Sequence, residues 1–110
     1  MTATQTSINF DQDKPKAVQK FEQFHMKHPR VYRAFKKKAL DLIGKKPTRV
    51  ISGRMIFESV RYDIFIQNDD EELYKLNNNY CPAYIRMFVK EYPAYDGLIP
   101  TKESVYDNWI

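Results

Sequence analysis

The chain has little glycine, one cysteine, two histidines and no long apolar run. Three glycines in 110 residues, Gly44, Gly53 and Gly97, are few for an all-β protein, which needs many tight turns. The single Cys81 excludes an internal disulfide framework and fits a reducing compartment. His25 and His28, with that one thiol, give no metal-ligand set at recognisable spacing, so no metal or cofactor is expected. No apolar stretch approaches membrane-spanning length, and residues 1–13 lack the basic-then-apolar plan of a secretory signal. There is no phosphate-cradling glycine loop, no Ser/His/Asp arrangement and no spacing that makes carboxylates converge on one cation. These absences set the expectation of a cytoplasmic, non-enzymatic protein with no membrane partner.

What the chain does carry is charge, unevenly spread. Residues 29–66 hold ten basic side chains and three acids, a block of +7. Residues 1–28 add +1 and residues 67–110 contribute −4, which gives the net +4 of the whole. A concentrated positive field recruits polyanions, and nucleic acid is the commonest of them. Hydrophobic content of 43%, with 15% aromatic, is ample for a core, so 110 residues read as one domain. The polar residues 1–13 read as a flexible tail and residues 14–110 as a single helical domain.

Proline and apolar periodicity divide that domain. Pro15 suits a first helical turn, and Val18, Phe21, Phe24 and His25 follow at helical spacing up to His28-Pro29. Pro29 opens a second helix with Val31, Tyr32, Phe35, Ala39, Leu42 and Ile43 on one stripe, and Gly44 is expected to cap it. Ser52 is the expected N-cap of a third helix to about Ile66, with Met55, Ile56, Ser59, Val60 and Asp63 or Ile64 on a mixed face. Asn77-Asn78-Asn79 is turn chemistry, Pro82 starts a fourth helix to about Glu91, and Pro93 stops it. Val50-Ile51 and Leu98-Ile99 read as short strands. The expected fold class is mainly α: a compact helical domain with a small β element, in a winged-helix-like layout. About fifteen residues between Ile66 and Pro82 argue against a tight helix-turn-helix.

The candidate contacts to nucleic acid follow from side-chain chemistry. Lys45, Lys46, Arg49, Arg54 and Arg61 are the expected electrostatic docking set. Arg54 and Arg61 are seven apart and share a helix face, with Glu58 between them. The plainer reading is an Arg54–Glu58 pair and a solvated Arg61. The stretch Lys75, Leu76, Asn77, Asn78, Asn79 and Tyr80, followed by Tyr84 and Arg86, could add local contacts. Asparagine bonds adenine, arginine bonds guanine or phosphate, and tyrosine stacks on bases. Its plainer reading is a capped polar turn with both tyrosines in the core. Lys36-Lys37-Lys38 spans nearly a full turn and reads as a solvated surface. Residues 69–72, all acidic, read as a solvated turn without calcium-loop spacing.

Three separated blocks resemble a family of small, largely uncharacterised phage and prophage proteins. They are Phe21-Glu22-Gln23-Phe24-His25, then residues 52–62, then residues 75–80 with Tyr84-Ile85-Arg86. The resemblance spans about residues 21–101 and implies a phage accessory protein tied to DNA, helix-turn-helix-like, in the host cytoplasm. It carries no activity to transfer. The first expectation is therefore an accessory protein that binds nucleic acid, DNA more than RNA, through a basic helical face. The alternative is a protein-interaction module, such as a phage inhibitor of a host or defence protein.

Overall fold

The structure, a computed structural model, describes residues 14–67 and 76–110. These residues are mainly helical. In chain order they form α1 (Lys16–Lys27), α2 (Pro29–Lys45), α3 (Gly53–Gln67) and α4 (Cys81–Glu91), with single 3-10 turns at Asn78–Tyr80 and Pro93–Tyr95. The expected tail, residues 1–13, lies outside the described residues, as does the acidic stretch 69–72.

Local chemistry accounts for most of the boundaries. Pro15 sits just before α1, and the His28 N–H bonds the Phe24 carbonyl at 2.8 Å to end it. Pro29 then begins α2, where a missing N–H costs nothing. α2 runs past Gly44, which was expected to cap it, and stops at Lys46, whose N–H reaches Leu42 O at 2.9 Å. Gly44 does not take the positive φ for which a capping glycine is selected; Gly97 does, at +94°. Ser52 caps α3 as expected, its Oγ accepting from the Met55 N–H at 3.2 Å. The asparagine turn closes on itself, with Asn77 Oδ1 accepting from the Asn79 N–H at 2.9 Å.

No strand is present among the described residues. The two expected strands do meet, but through one backbone bond, from Ile51 N to Leu98 O at 2.7 Å. A single bond joins the two segments without making a ladder, so the β element of a winged helix is not seen there.

The core is a meeting of all four helices on one ring. Tyr84 of α4 is 0% exposed. Its ring lies 5.0 Å from Phe21 of α1, 6.4 and 6.1 Å from Tyr32 and Phe35 of α2, and 6.1 Å from Phe57 of α3. Val18, Val31, Ala39, Ile56, Val60, Ala83 and Phe88 are buried in the same cluster. On α3 the buried stripe is Ile56, Phe57, Val60 and Ile64; Met55, expected on that face, is exposed.

Glycine is required at one helix crossing. A Cβ on Gly53 would collide with Ile85 Cδ1 and Cγ1 and come within 3.1 Å of Ile99 Cγ2. The start of α3 can therefore lie against α4 because residue 53 has no side chain.

Candidate nucleic-acid interface

The described residues carry seventeen lysines and arginines against eight carboxylates, a net of +9. Six of the eight carboxylates are already engaged. Glu22 pairs with Lys14 at 3.0 Å, Asp41 with Lys45 at 3.2 Å and Glu58 with Arg61 at 3.1 Å. Asp63 pairs with Lys38 at 2.7 Å, Glu91 with Lys36 at 3.1 Å and Asp107 with Arg86 at 2.6 Å. Each pair removes one cation from the external field and leaves the surplus on other side chains.

That surplus concentrates on α2, the following turn and the start of α3. Arg30, Arg33, Lys37, Lys46, Arg49 and Arg54 are exposed there and form no ion pair with a described carboxylate. Arg30, Arg33 and Lys37 recur at three and four, opposite the buried stripe of Val31, Phe35 and Ala39. Arg30 and Lys37 also line a groove of about 790 Å³ between α2 and α3, floored by Ala34, Leu40, Val60 and Ile64.

Eleven of the twelve residues singled out in the sequence are described, and they separate into three groups. Lys46, Arg49 and Arg54 are exposed cations without an acidic partner, while Lys45 is exposed but paired. Arg54, Asn78 and Asn79 come together across the chain. They line a cleft of about 570 Å³ with Cys81, Pro82, Ser104, Val105 and Tyr106, none of which is acidic. Arg61 reaches the same turn, its Nη1 donating to Asn78 Oδ1 and to Glu58 Oε1. Glu58 thus bonds the arginine three residues on, not the one four residues back, and Arg54 is left uncompensated. Asn77 spends its side-chain oxygen on the turn.

The third group is structural. Tyr84 is the centre of the core and offers no face to a base. Tyr80 is half-buried, with its ring 5.6 Å from Phe21 and 5.1 Å from Phe24. Arg86, whose side chain is 11% exposed, clamps the C-terminal segment. Its Nε donates to Asp107 Oδ1 at 2.6 Å, Nη1 to Pro82 O at 2.9 Å and Nη2 to Lys102 O at 2.7 Å. With all three nitrogens committed, it is not placed to bond guanine. Lys75 lies outside the described residues.

Titration follows these placements. The Cys81 thiol is pushed up to about 11, mainly by burial, with Arg54 opposing and Glu58 assisting. It is a poor nucleophile at neutral pH. His25, stacked on Phe21 at 5.9 Å, is held below its ordinary 6.5 by burial. Among the described residues no group of three His, Cys, Asp or Glu side chains could hold a metal ion. No helix of the described residues is long and apolar enough to cross a membrane.

Arg30, Arg33 and Lys37 were not among the residues singled out in the sequence, although their three-four spacing on the polar side of α2 was available there. Nor was Tyr62, which lies on α3 away from Ile56, Val60 and Ile64. Comparison of the chain with protein-family models, with characterised proteins and with solved structures found no significant match. Function is therefore read from these residues themselves.

Proposed function

We propose that the chain is an accessory protein that binds nucleic acid, DNA in the first instance, through the basic surface of α2, the 46–49 turn and the start of α3. One observation carries this reading. Ion pairs commit six of the eight described carboxylates to other cations, four of them on α2 or α3, while six cations on this surface stay uncompensated. Such a surface suits phosphates, and it suits positioning more than base reading, because Tyr84 and Arg86 are committed internally. Arg54 with Asn78 and Asn79 supplies a cation and amide donors at one end of it. The phage-type setting is supported by the three sequence blocks that resemble small phage proteins.

The test is a salt titration of binding to a fluorescently labelled duplex. Affinity should fall linearly in log–log form as salt rises, because each neutralised phosphate releases counterion. Arg30→Ala, Lys37→Ala and Arg54→Ala should each flatten the slope by about one. If the protein binds no nucleic acid at low ionic strength, this reading fails.

A second reading has its own observation. Val50, Met55 and Ile66 are exposed aliphatic side chains that phosphates do not use. They favour a host-protein partner. A partner retained on the protein from lysate after nuclease treatment, and lost in Met55→Glu with Ile66→Glu, would support it.

A further inference from the structure

The outward face of α3 carries more apolar side chain than a backbone contact requires. Met55, Tyr62 and Ile66 are 54%, 65% and 58% exposed. Their spacing of seven and four places them on one strip of the helix. Arg54 and Arg61, seven apart, form the strip's neighbouring edge, next to Asn78 of the asparagine turn. On the helix's opposite flank Asp63 is held by Lys38 of α2. The ring of Tyr62 thus stands in solvent between the arginine-bearing edge and this ion pair. No ring of a described residue stacks on it, whereas the core tyrosines Tyr32, Tyr80 and Tyr84 all have ring neighbours.

We infer that this face takes single-stranded nucleic acid, with Tyr62 as a stacking platform for one base and Arg54 holding a neighbouring phosphate. The inference rests on the nucleic-acid reading above and adds the strand type to it. A duplex keeps its base faces stacked internally and offers an approaching helix face mostly phosphate and base edges. Little on this strip reads edges: it has a thioether, an aliphatic chain and a phenol ring. A single strand offers π-faces, and an exposed aromatic beside cations is the arrangement that captures them without sequence preference. Arg54 and Tyr62 are eight residues apart, about 12 Å along the helix axis. That separation spans a couple of nucleotides of an extended strand. The uncompensated Arg54 at the strip's edge complements the phosphates of such a strand.

The experiment compares one labelled oligothymidine and one labelled duplex at the same low salt, with the full chain. Wild type should bind the single strand at least about ten-fold more tightly. Tyr62→Ala should lose about five-fold or more on the single strand while its duplex affinity and salt slope hold, since stacking releases no counterion. Tyr62→Phe keeps the ring and should restore single-strand binding. Helical circular dichroism of each variant verifies the fold, and a position this exposed should leave it intact. Equal or tighter duplex binding overturns the inference and leaves the electrostatic reading standing. So does a Tyr62→Ala protein with undiminished single-strand affinity, which would leave the strip to a protein partner. Absence of salt-dependent binding to either probe overturns the underlying reading as well.

Discussion

Arg54 and Arg86 stood side by side as candidate contacts, and the fold treats them oppositely. Arg86, in the middle of α4, makes three bonds to three separate points and ties the C-terminal segment to the body. Arg54, one residue into α3, makes no ion pair and lines an open cleft without acids. The region around Arg86 is closed: its guanidinium meets a carboxylate and two carbonyls, and the aromatics of α4 meet other rings. The region around Arg54 is open: cations and apolar side chains alike face outward. The contrast teaches that residue type alone says little about which arginine reaches a ligand. The supply of neighbouring acceptors decides it, and Glu58 shows this by choosing Arg61, which Asn78 also holds.

The sharpest way to break this division is at the centre of the closed region. Tyr84→Ala should cost about 3–5 kcal/mol, as for other buried aromatics, and show as a large fall in the denaturation midpoint. Tyr84→Phe should cost nothing or add stability. Its hydroxyl is buried without a hydrogen-bond partner among the described residues, so removing it sacrifices no bond. Arg86→Ala comes next, with a loss of about 1–3 kcal/mol, because charge-assisted bonds to two carbonyls and a carboxylate go together. Nucleic-acid affinity per folded molecule should hold. If Arg86→Ala instead weakens binding while stability stays level, the assignment of the two arginines is reversed.

Arg54→Ala should do the opposite. Stability should stay within about 0.5 kcal/mol, as for exposed sites without partners, while binding weakens and its salt dependence flattens. The smallest effect is with pH. Burial holds His25 below 6.5, so the unfolded chain takes up a proton that the folded one resists, and stability should begin to fall as pH drops below 6.5. Glu91 is lowered from 4.5 by the Tyr32 hydroxyl and Lys36, and Asp107 from 3.8 by the Ser104 N–H and Arg86. The stability these two supply is complete above their ordinary values and is lost as pH falls through the lowered ones. Melting temperature measured from pH 8 to pH 3 should therefore decline in two stages. His25→Gln should remove much of the first, and a level curve between pH 7 and pH 5 would contradict the His25 placement.

The helices were legible because punctuation is local. Pro15, His28-Pro29, Ser52, Pro82 and Pro93 each act within a few residues of themselves, and each boundary falls within about two residues of where they put it. The strands were misread because short apolar pairs such as Val50-Ile51 and Leu98-Ile99 carry no period, and one bond satisfies them. The candidate site was half legible. Arg54 with Asn78 and Asn79 was named from chemistry, but which tyrosine is core and which is surface depends on packing by distant helices. Tyr84 meets residues from α1, α2 and α3, and nothing near it in the chain reveals that. Tyr62, on the side of α3 away from Ile56, Val60 and Ile64, has the opposite fate.

Gly53 gives that outward face its aim. α3 bears on α4 at its first residue, where a missing methyl group lets Ile85 lie close. Ile66 lies thirteen residues away, about 20 Å along the axis. A tilt of a few degrees, enough to admit an alanine Cβ beside Ile85, would swing that far end by roughly 1–2 Å and carry Tyr62 part of the way with it. A substitution at a position that touches no ligand would then change the angle at which the whole strip is offered. Gly53→Ala is on this view a change of aim more than a change of chemistry.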